Sequence, residues 1–201
     1  WQGTGMDNSQ FPGATSLWRG IEQAVEASGG SAELAPNGEY EQRPDVAIVV
    51  FGETPYAEFQ GDIASLQLRP ELRRPIETMR RLKAEGIPTV AVMITGRPLY
   101  VNEALNSADA FVVAWLPGSE GAGVADMLLA GVDGEPAFEF QGRLPTAWPA
   151  PAQHGGPTLF PFGYGLRYAE GARAWTTLAE DNGVDDDGSG GGVFFDKGVP
   201  A

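Results

Sequence analysis

Val46-Ala47-Ile48-Val49-Val50-Phe51 is a continuous apolar run rich in β-branched residues, and the architecture of the whole chain can be predicted outward from it. Strands of a parallel sheet covered on both faces carry such unbroken runs, whereas half-exposed strands alternate apolar and polar residues. Two further runs of the same kind follow, at residues 89–94 and 110–116. The three runs predict neighbouring strands of one parallel sheet.

Helical patterns lie between and around these runs. Apolar side chains recur at helical spacing in three stripes, each followed by glycine: Leu17, Ile21, Ala24 and Val25 before Gly29-Gly30; Ile76, Met79 and Leu82 before Gly86; Val124, Met127 and Leu128 before Gly131. Thr15 or Ser16 can cap the first helix, and Pro75 suits the first helical position of the second. Strands alternating with helices imply βαβ crossovers. We therefore predict an α/β fold, a three-layer α/β sandwich with a mostly parallel sheet.

Acidic side chains gather where the predicted strands end. Ligands of parallel α/β sheets bind beyond the carboxyl ends of the strands, which here are the segments 52–62, 95–97 and 117–121. The charged residues in these segments are Glu53, Glu58, Asp62, Arg97 and Glu120. This acid-rich edge of the sheet is the predicted functional region.

Charge and composition exclude several classes of function. A formal net charge of −14 disfavours nucleic acids and anionic membrane surfaces, and it fits a neutral substrate. The chain has no apolar run approaching the ~18 residues of a membrane span. With no cysteine and one histidine, a His/Cys metal cluster is impossible. The glycine-rich segment 118–123 matches neither a dinucleotide fingerprint nor a P-loop, so neither a metal nor a cofactor is expected.

A serine nucleophile is one alternative that the residues leave open. Ser119 lies between a predicted strand and a predicted helix, as in a nucleophile elbow, and Asp133 and His154 follow in hydrolase order. Pro117, however, replaces the first glycine of the elbow motif, and no glycine-rich oxyanion segment precedes it. We interpret Ser119 as a helix N-cap and His154 as a surface-loop residue.

The edge segment 52–62 is the better candidate for catalysis. It carries three carboxylates and two aromatic residues. Glycoside hydrolysis needs a carboxylic acid that stays protonated near neutral pH and protonates the leaving oxygen. A glutamate beside an aromatic ring, as Glu58 is beside Phe59, could have the raised pKa that this role requires. Taken alone, however, the three carboxylates of the segment are better explained as solvated loop acids.

Seven short stretches, in order along residues 1–168, give the sequence a family resemblance. They are WQG (1–3), VVFGETPYAE (49–58), GD (61–62), ITGRP (94–98), AWLPGSEG (114–121), FQGRLP (140–145) and FGYGL (162–166). With these, the chain resembles the second, α/β sandwich domain of glycoside hydrolase family 3, in the branch of exo-β-glucanases and β-glucosidases. The resemblance implies a retaining, exo-acting enzyme that hydrolyses β-1,3 or β-1,4 bonds of β-glucans or cello- and laminari-oligosaccharides.

The resemblance also implies a division of the active site between two domains. An amino-terminal (β/α)₈ barrel would carry an Asp nucleophile, so the isolated chain is expected to be inactive. Glu58 matches the family's general acid/base, and Trp1 matches a tryptophan that stacks on a sugar ring. Glu53 and Asp62, on the same segment, are assigned to substrate binding. Related sequences often have Thr-Glu-Thr-Lys where this chain has Ala57-Glu58-Phe59-Gln60, which affects the expected leaving group.

The domain is predicted to span residues 1–180, without its first strand and helix. The chain opens on Trp1 with no initiator Met or signal peptide, which indicates a fragment or mature piece. Residues 181–201 are predicted to be an acidic glycine-rich linker and the start of a further domain, with a calcium loop at 181–187 as the alternative. The resemblance implies a periplasmic or secreted protein.

Overall fold

A parallel three-stranded sheet forms the centre of the fold. We describe it from a computed structural model, which covers residues 8–57, 61–70, 73–173, 176–184, 195–196 and 199–200. The strands are β1 (Ala47–Gly52), β2 (Thr89–Ile94) and β3 (Ala110–Trp115), in the spatial order β1-β2-β3. Both pairs are parallel. Each strand lies within one residue of its predicted run, because β-branched and aromatic side chains pack well on a pleated sheet.

In the described part of the chain four α-helices accompany the sheet: α1 (Leu17–Ala27), α2 (Arg74–Ala84), α3 (Asn102–Ser107) and α4 (Gly121–Leu128). Of the two predicted cap candidates, Ser16 caps α1, its Oγ accepting a hydrogen bond of 3.2 Å from the Arg19 N–H. Pro75 lies in the first turn of α2, where a missing N–H costs nothing. None of the helices in the described ranges has the length and apolarity that a membrane crossing requires.

The prediction that Ser119 is a helix N-cap is wrong. Glu120 occupies the cap position of α4, and no side chain bonds the first turn. The chain turns earlier, at Gly118, whose φ of 55° lies in the left-handed region. The Ser119 carbonyl therefore accepts the Thr15 N–H at 2.8 Å, while the Ser119 hydroxyl lies 3.3 Å from a carboxylate oxygen of Glu120.

The hydrophobic core joins the sheet to α2 and α3. Met79 of α2, Met93 of β2 and Leu99 are fully buried in it. Trp148 closes the core from β4 (Trp148–Pro149), which pairs antiparallel with β5 (Thr158–Phe160). Its indole Nε1 donates a hydrogen bond of 2.7 Å to the Leu99 carbonyl, so burying the ring leaves no indole donor unpaired.

The segment 176–184 lies against the domain beside α3. Asn106 exchanges two hydrogen bonds of 2.9 Å with the backbone of Leu178, and Asn102 donates one of 2.8 Å to the Ala179 carbonyl. The Ala152 N–H donates to the Asn182 carbonyl at 2.7 Å. The predicted linker, residues 185–192, lies outside the described residues, and beyond it β6 (Phe195–Asp196) pairs with β7 (Val199–Pro200). The domain boundary at residue 180 stays a prediction.

Candidate functional site

The loops after β1 and β2 meet at the carboxyl edge of the sheet. The Glu53 N–H, one residue beyond β1, donates a hydrogen bond of 3.1 Å to the carbonyl of Ile94, the last residue of β2. The preceding residue has to be Gly52, because a Cβ there would lie 1.9 Å from the same Ile94 carbonyl oxygen. This close backbone approach sets the direction in which the acid-rich segment leaves the sheet.

Glu53 is paired on both carboxylate oxygens. Its Oε1 lies 2.8 Å from one terminal nitrogen of Arg97 and 2.9 Å from Nε of that guanidinium. Its Oε2 accepts a hydrogen bond of 2.9 Å from the Thr95 hydroxyl. The side chains of Glu53 and Arg97 are only 11% and 17% exposed. An ion pair this buried needs its remaining hydrogen bonds satisfied, which the Thr95 hydroxyl does here.

The same hydroxyl also holds the turn that follows β2. Thr95 Oγ1 lies 2.7 Å from the Arg97 carbonyl oxygen and 3.2 Å from the Arg97 backbone N. A hydroxyl carries one hydrogen, so it donates to either Glu53 or the carbonyl at any moment while accepting from the N–H. Thr95 is fully buried, which keeps water from competing for these bonds.

Arg97 reaches two further points on the segment 53–61. Its second terminal nitrogen donates a hydrogen bond to the Gly61 carbonyl. Its guanidinium carbon lies 3.9 Å from the centroid of the Tyr56 ring, in cation–π contact. Burial raises the pKa of the Tyr56 phenol, so it stays protonated at ordinary pH. One arginine thus contacts Glu53, Tyr56 and Gly61.

Of the four predicted site residues, two can be located. Glu58 and Trp1 lie outside the described residues. Glu53 is engaged by Arg97 and Thr95 as above. Asp62 is exposed, and its side chain makes no hydrogen bond or ion pair with the part of the chain that the structure describes. Substrate binding by Glu53 and Asp62 stays a prediction.

The third strand adds a backbone link to this edge. Trp115, the last residue of β3, has a φ of 53°, an unusual value for a residue with a side chain. The turn aims its carbonyl at the Thr95 N–H, 3.1 Å away. Its ring lies against Trp148, with centroids 6.1 Å apart. Sequence reasoning assigned no role to Arg97 or Trp115. The available signal for Arg97 was an arginine three residues after β2, beside a glutamate one residue after the neighbouring strand β1.

Thr15, two residues before α1, also lies at this side of the fold. Thr15 forms an isolated parallel bridge with Glu120. The Thr15 N–H donates to the Ser119 carbonyl at 2.8 Å, and the Gly121 N–H donates to the Thr15 carbonyl at 2.9 Å. The amino-terminal segment is therefore joined to the loop that follows β3.

The serine-hydrolase alternative finds no support in the geometry. The His154 ring nitrogen Nε2 lies 2.9 Å from the Ile63 carbonyl oxygen, and the Asp133 carboxylate accepts the Glu135 N–H at 3.1 Å. Neither side chain hydrogen-bonds Ser119. Nor does any group of three or more acidic or histidine side chains in the described ranges form a possible metal site.

Comparisons with known proteins agree on one family. The family model of the glycosyl hydrolase family 3 C-terminal domain matches residues 1–168. The crystal structure of an exo-1,3/1,4-beta-glucanase from a Pseudoalteromonas species is similar over 90% of this chain and 24% of that chain, with 45% identity and a TM-score of 0.84.

Two curated relatives point the same way. A lysosomal beta glucosidase of Dictyostelium discoideum is 30% identical over 199 residues, covering 84% of this chain and 23% of the relative. A periplasmic beta-glucosidase of Salmonella typhimurium is 28% identical over 158 residues, covering 63% of this chain and 20% of the relative. The chain thus spans less than a quarter of the length of these relatives.

Proposed function

This chain belongs to glycosyl hydrolase family 3, as a carboxyl-terminal domain, and from that membership we propose that it completes the active site of a retaining, exo-acting β-glucosidase or β-glucanase. The full-length protein would cleave β-1,3 or β-1,4 glucosidic bonds from the non-reducing ends of β-glucans or cello- and laminari-oligosaccharides. The names of the relatives support this substrate class. The net charge of −14 is compatible with a neutral polysaccharide.

In this proposal Glu58 is the general acid/base. Retaining hydrolysis needs two carboxyl groups about 5–5.5 Å apart, one to attack the anomeric carbon and one to protonate the leaving oxygen. A preceding (β/α)₈ barrel domain supplies the Asp nucleophile. Trp1 offers an indole face to the apolar face of a sugar ring. Asp62, exposed at the same edge, is free to bind a hydroxyl group.

One observation carries the proposal: the segment holding Glu58 leaves the carboxyl end of β1, and residues before and after it are held by Arg97. Sites of α/β sheets form at this edge. A catalytic acid must be held in a fixed position relative to its substrate, whereas a solvated loop acid need not be.

The test is Glu58→Ala in the full-length protein. We expect natural glucans, which have poor leaving groups, to lose ~10²–10⁴-fold in rate, because their departure depends on protonation. Activated aryl β-glucosides should still form the glycosyl-enzyme, and added azide should speed its breakdown and yield β-glucosyl azide with retained configuration. Product analysis by NMR identifies the azide adduct.

Two matched variants separate the alternatives. Glu120→Ala removes an exposed glutamate of the same sheet edge and should change neither rate nor azide response. If azide rescues Glu53→Ala and not Glu58→Ala, the acid/base is Glu53. Glucoside turnover by the isolated chain would contradict the assignment of the nucleophile to another domain. A full-length protein that binds glucan without hydrolysing it would be a sugar-binding module.

We also propose a periplasmic or secreted location. The name of the Salmonella relative supports the periplasm, whereas the Dictyostelium relative is named for the lysosome. Activity measured in separated periplasmic, extracellular and cytoplasmic fractions tests this, and activity confined to the cytoplasm would contradict it.

A further inference from the structure

Arg97 contacts the segment 53–61 at three points. It binds the Glu53 carboxylate where the segment begins, stacks on Tyr56 three residues later, and donates to the Gly61 carbonyl at the far side. All three contacts come from one planar guanidinium that is largely buried. Moving either side of the segment therefore breaks a contact made by the same group.

Arg97 is itself held from β2. Its backbone is fixed by the fully buried Thr95 hydroxyl, which sits on the residue directly after the strand. The Thr95 N–H in turn donates a hydrogen bond to the Trp115 carbonyl, which ties Thr95 to β3. The guanidinium is thus anchored on the two strands that do not carry the segment 53–61.

We propose that Arg97 is a positioning residue for the acid/base, and that Glu53 serves this clamp rather than binding sugar. The proposal rests on the assignment of Glu58. By keeping Tyr56 and Gly61 at a fixed separation, Arg97 limits the path that the four residues between them can take. Clamping a short segment at both sides also lowers the entropy lost when a catalytic group is aligned with its substrate.

Lysine cannot replace this arginine fully. An ammonium group can keep the charge pair with Glu53, but it lacks the planar surface for Tyr56 and the separate, diverging donors that reach Glu53 and Gly61 together. Arg97→Lys should consequently recover part of what Arg97→Ala loses.

The experiment measures kcat and KM of the full-length enzyme with β-glucosides of graded leaving-group pKa. For Arg97→Ala we expect a loss of ~10–10²-fold in kcat/KM for unactivated glucosides, the scale of a small misplacement of a catalytic group. The loss for dinitrophenyl β-glucoside, which needs little protonation, should be several-fold smaller. Arg97→Lys should fall between wild type and Arg97→Ala on the unactivated substrates.

A second arginine provides the matched control. Arg80 on α2 also pairs with two carboxylates, Glu103 at 3.2 Å and Glu180 at 2.8 Å, but it is 46% exposed and pairs with none of the described residues of the segment 53–61. Arg80→Ala should leave the dependence on leaving group unchanged. Equal losses on all substrates for Arg97→Ala, with Arg97→Lys no better, would overturn the clamp and leave Arg97 a structural residue.

Arg97→Ala leaves the Glu53 carboxylate buried without its partner, which can unfold the domain. The double variant Glu53→Gln with Arg97→Gln removes both charges while keeping a polar side chain at each position, and it is measured beside Arg97→Ala. It should show the same selective loss on unactivated glucosides, and wild-type rates on them would overturn the clamp.

Glu58→Ala, run in parallel, distinguishes the two proposals. If it shows no leaving-group dependence and no azide product, the assignment of Glu58 fails, whatever Arg97 does. If it behaves as an acid/base variant while Arg97→Ala matches wild type, only the clamp fails.

Discussion

The carboxylate of Glu139 is the hydrogen-bond acceptor for several backbone N–H groups. It accepts hydrogen bonds from the N–H groups of Tyr168 at 2.7 Å, Ala169 at 3.0 Å and its neighbour Phe140 at 2.8 Å. Two of these donors belong to the 3₁₀ turn Tyr168–Glu170. The bonds, that of Ala169 foremost, hold the pKa of the Glu139 carboxyl below its ordinary value of 4.5.

The lowered pKa predicts a pH-dependent contribution to stability. Because the folded state favours the ionised form, Glu139 stabilises the fold fully above pH 4.5 and loses that effect as the pH falls through the folded-state pKa. The Tm of wild type should exceed that of Glu139→Gln at neutral pH, and the difference should shrink below pH 4.5. Glu135→Gln, at an exposed position, is the control. A Tm difference for Glu139→Gln that does not change with pH would refute the prediction.

At the scale of elements, α1 and α4 approach so closely that their backbones touch. A Cβ on Gly20 would lie 2.8 Å from the Ala122 Cα and from the Gly121 carbonyl oxygen, and one on Gly121 would lie 2.3 Å from the Ser16 carbonyl carbon. Neither contact can be relieved by rotating a side chain. The two glycines therefore fix the distance between the helices.

This contact predicts opposite effects for two glycine-to-alanine substitutions. Gly20→Ala should destabilise the domain by about 1–3 kcal/mol, since the backbones must separate. Gly123→Ala, at the third residue of α4 with nothing within 4 Å of the added Cβ, should be neutral or stabilise by about 0.4–1 kcal/mol. Urea denaturation measures both. Equal effects of the two changes would mean that the helices adjust freely.

The elements also show what could be predicted from the sequence. Strand positions followed from the unbroken apolar runs, and the Ser16 cap followed from a local rule. Helix α3 was missed because its buried residues include Asn102 and Ser107 and form no apolar stripe. Asn102 and Asn106 of α3 hydrogen-bond the segment 176–184, which lies more than 70 residues away in sequence.

The candidate site, too, could be predicted only where local sequence patterns determine it. Its location was predictable because acidic residues follow parallel strands. The pairing of Glu53 with Arg97 was not, since the partners are 44 residues apart and meet only after two loops have taken their paths. From the sequence alone, a glutamate that pairs with an arginine at this edge cannot be distinguished from one that binds substrate.

At the scale of the whole molecule, the segment 176–184 behaves as part of the folded domain although the family model ends at residue 168. Leu178 packs against the hydrophobic core. Glu180 pairs with Arg80 of α2 at 2.8 Å. Together with the asparagine bonds, these contacts connect the segment to two helices.

Two truncations test this connection. A chain that ends at residue 173 should lose about 2–4 kcal/mol of unfolding free energy, from the three hydrogen bonds between asparagine side chains and the backbone of the segment, at ~0.5–1.5 kcal/mol each, and from the packing of Leu178. A chain that ends at residue 184 retains all of these contacts and should match the 201-residue chain. Chemical denaturation followed by circular dichroism measures the loss, and equal stability of the two truncations would contradict it.

The tilted pair of Trp115 and Trp148 gives the molecule an optical reporter of its own. Two indoles with centroids 6.1 Å apart couple their electronic transitions, so the pair should contribute a distinct near-ultraviolet dichroism band. Because the Trp115 carbonyl binds the residue that fixes Arg97, a sugar that displaces this edge should rotate one ring against the other and change that band. Ligand titrations could therefore be followed without dye or label, with Trp115→Phe identifying the part of the spectrum that belongs to the pair.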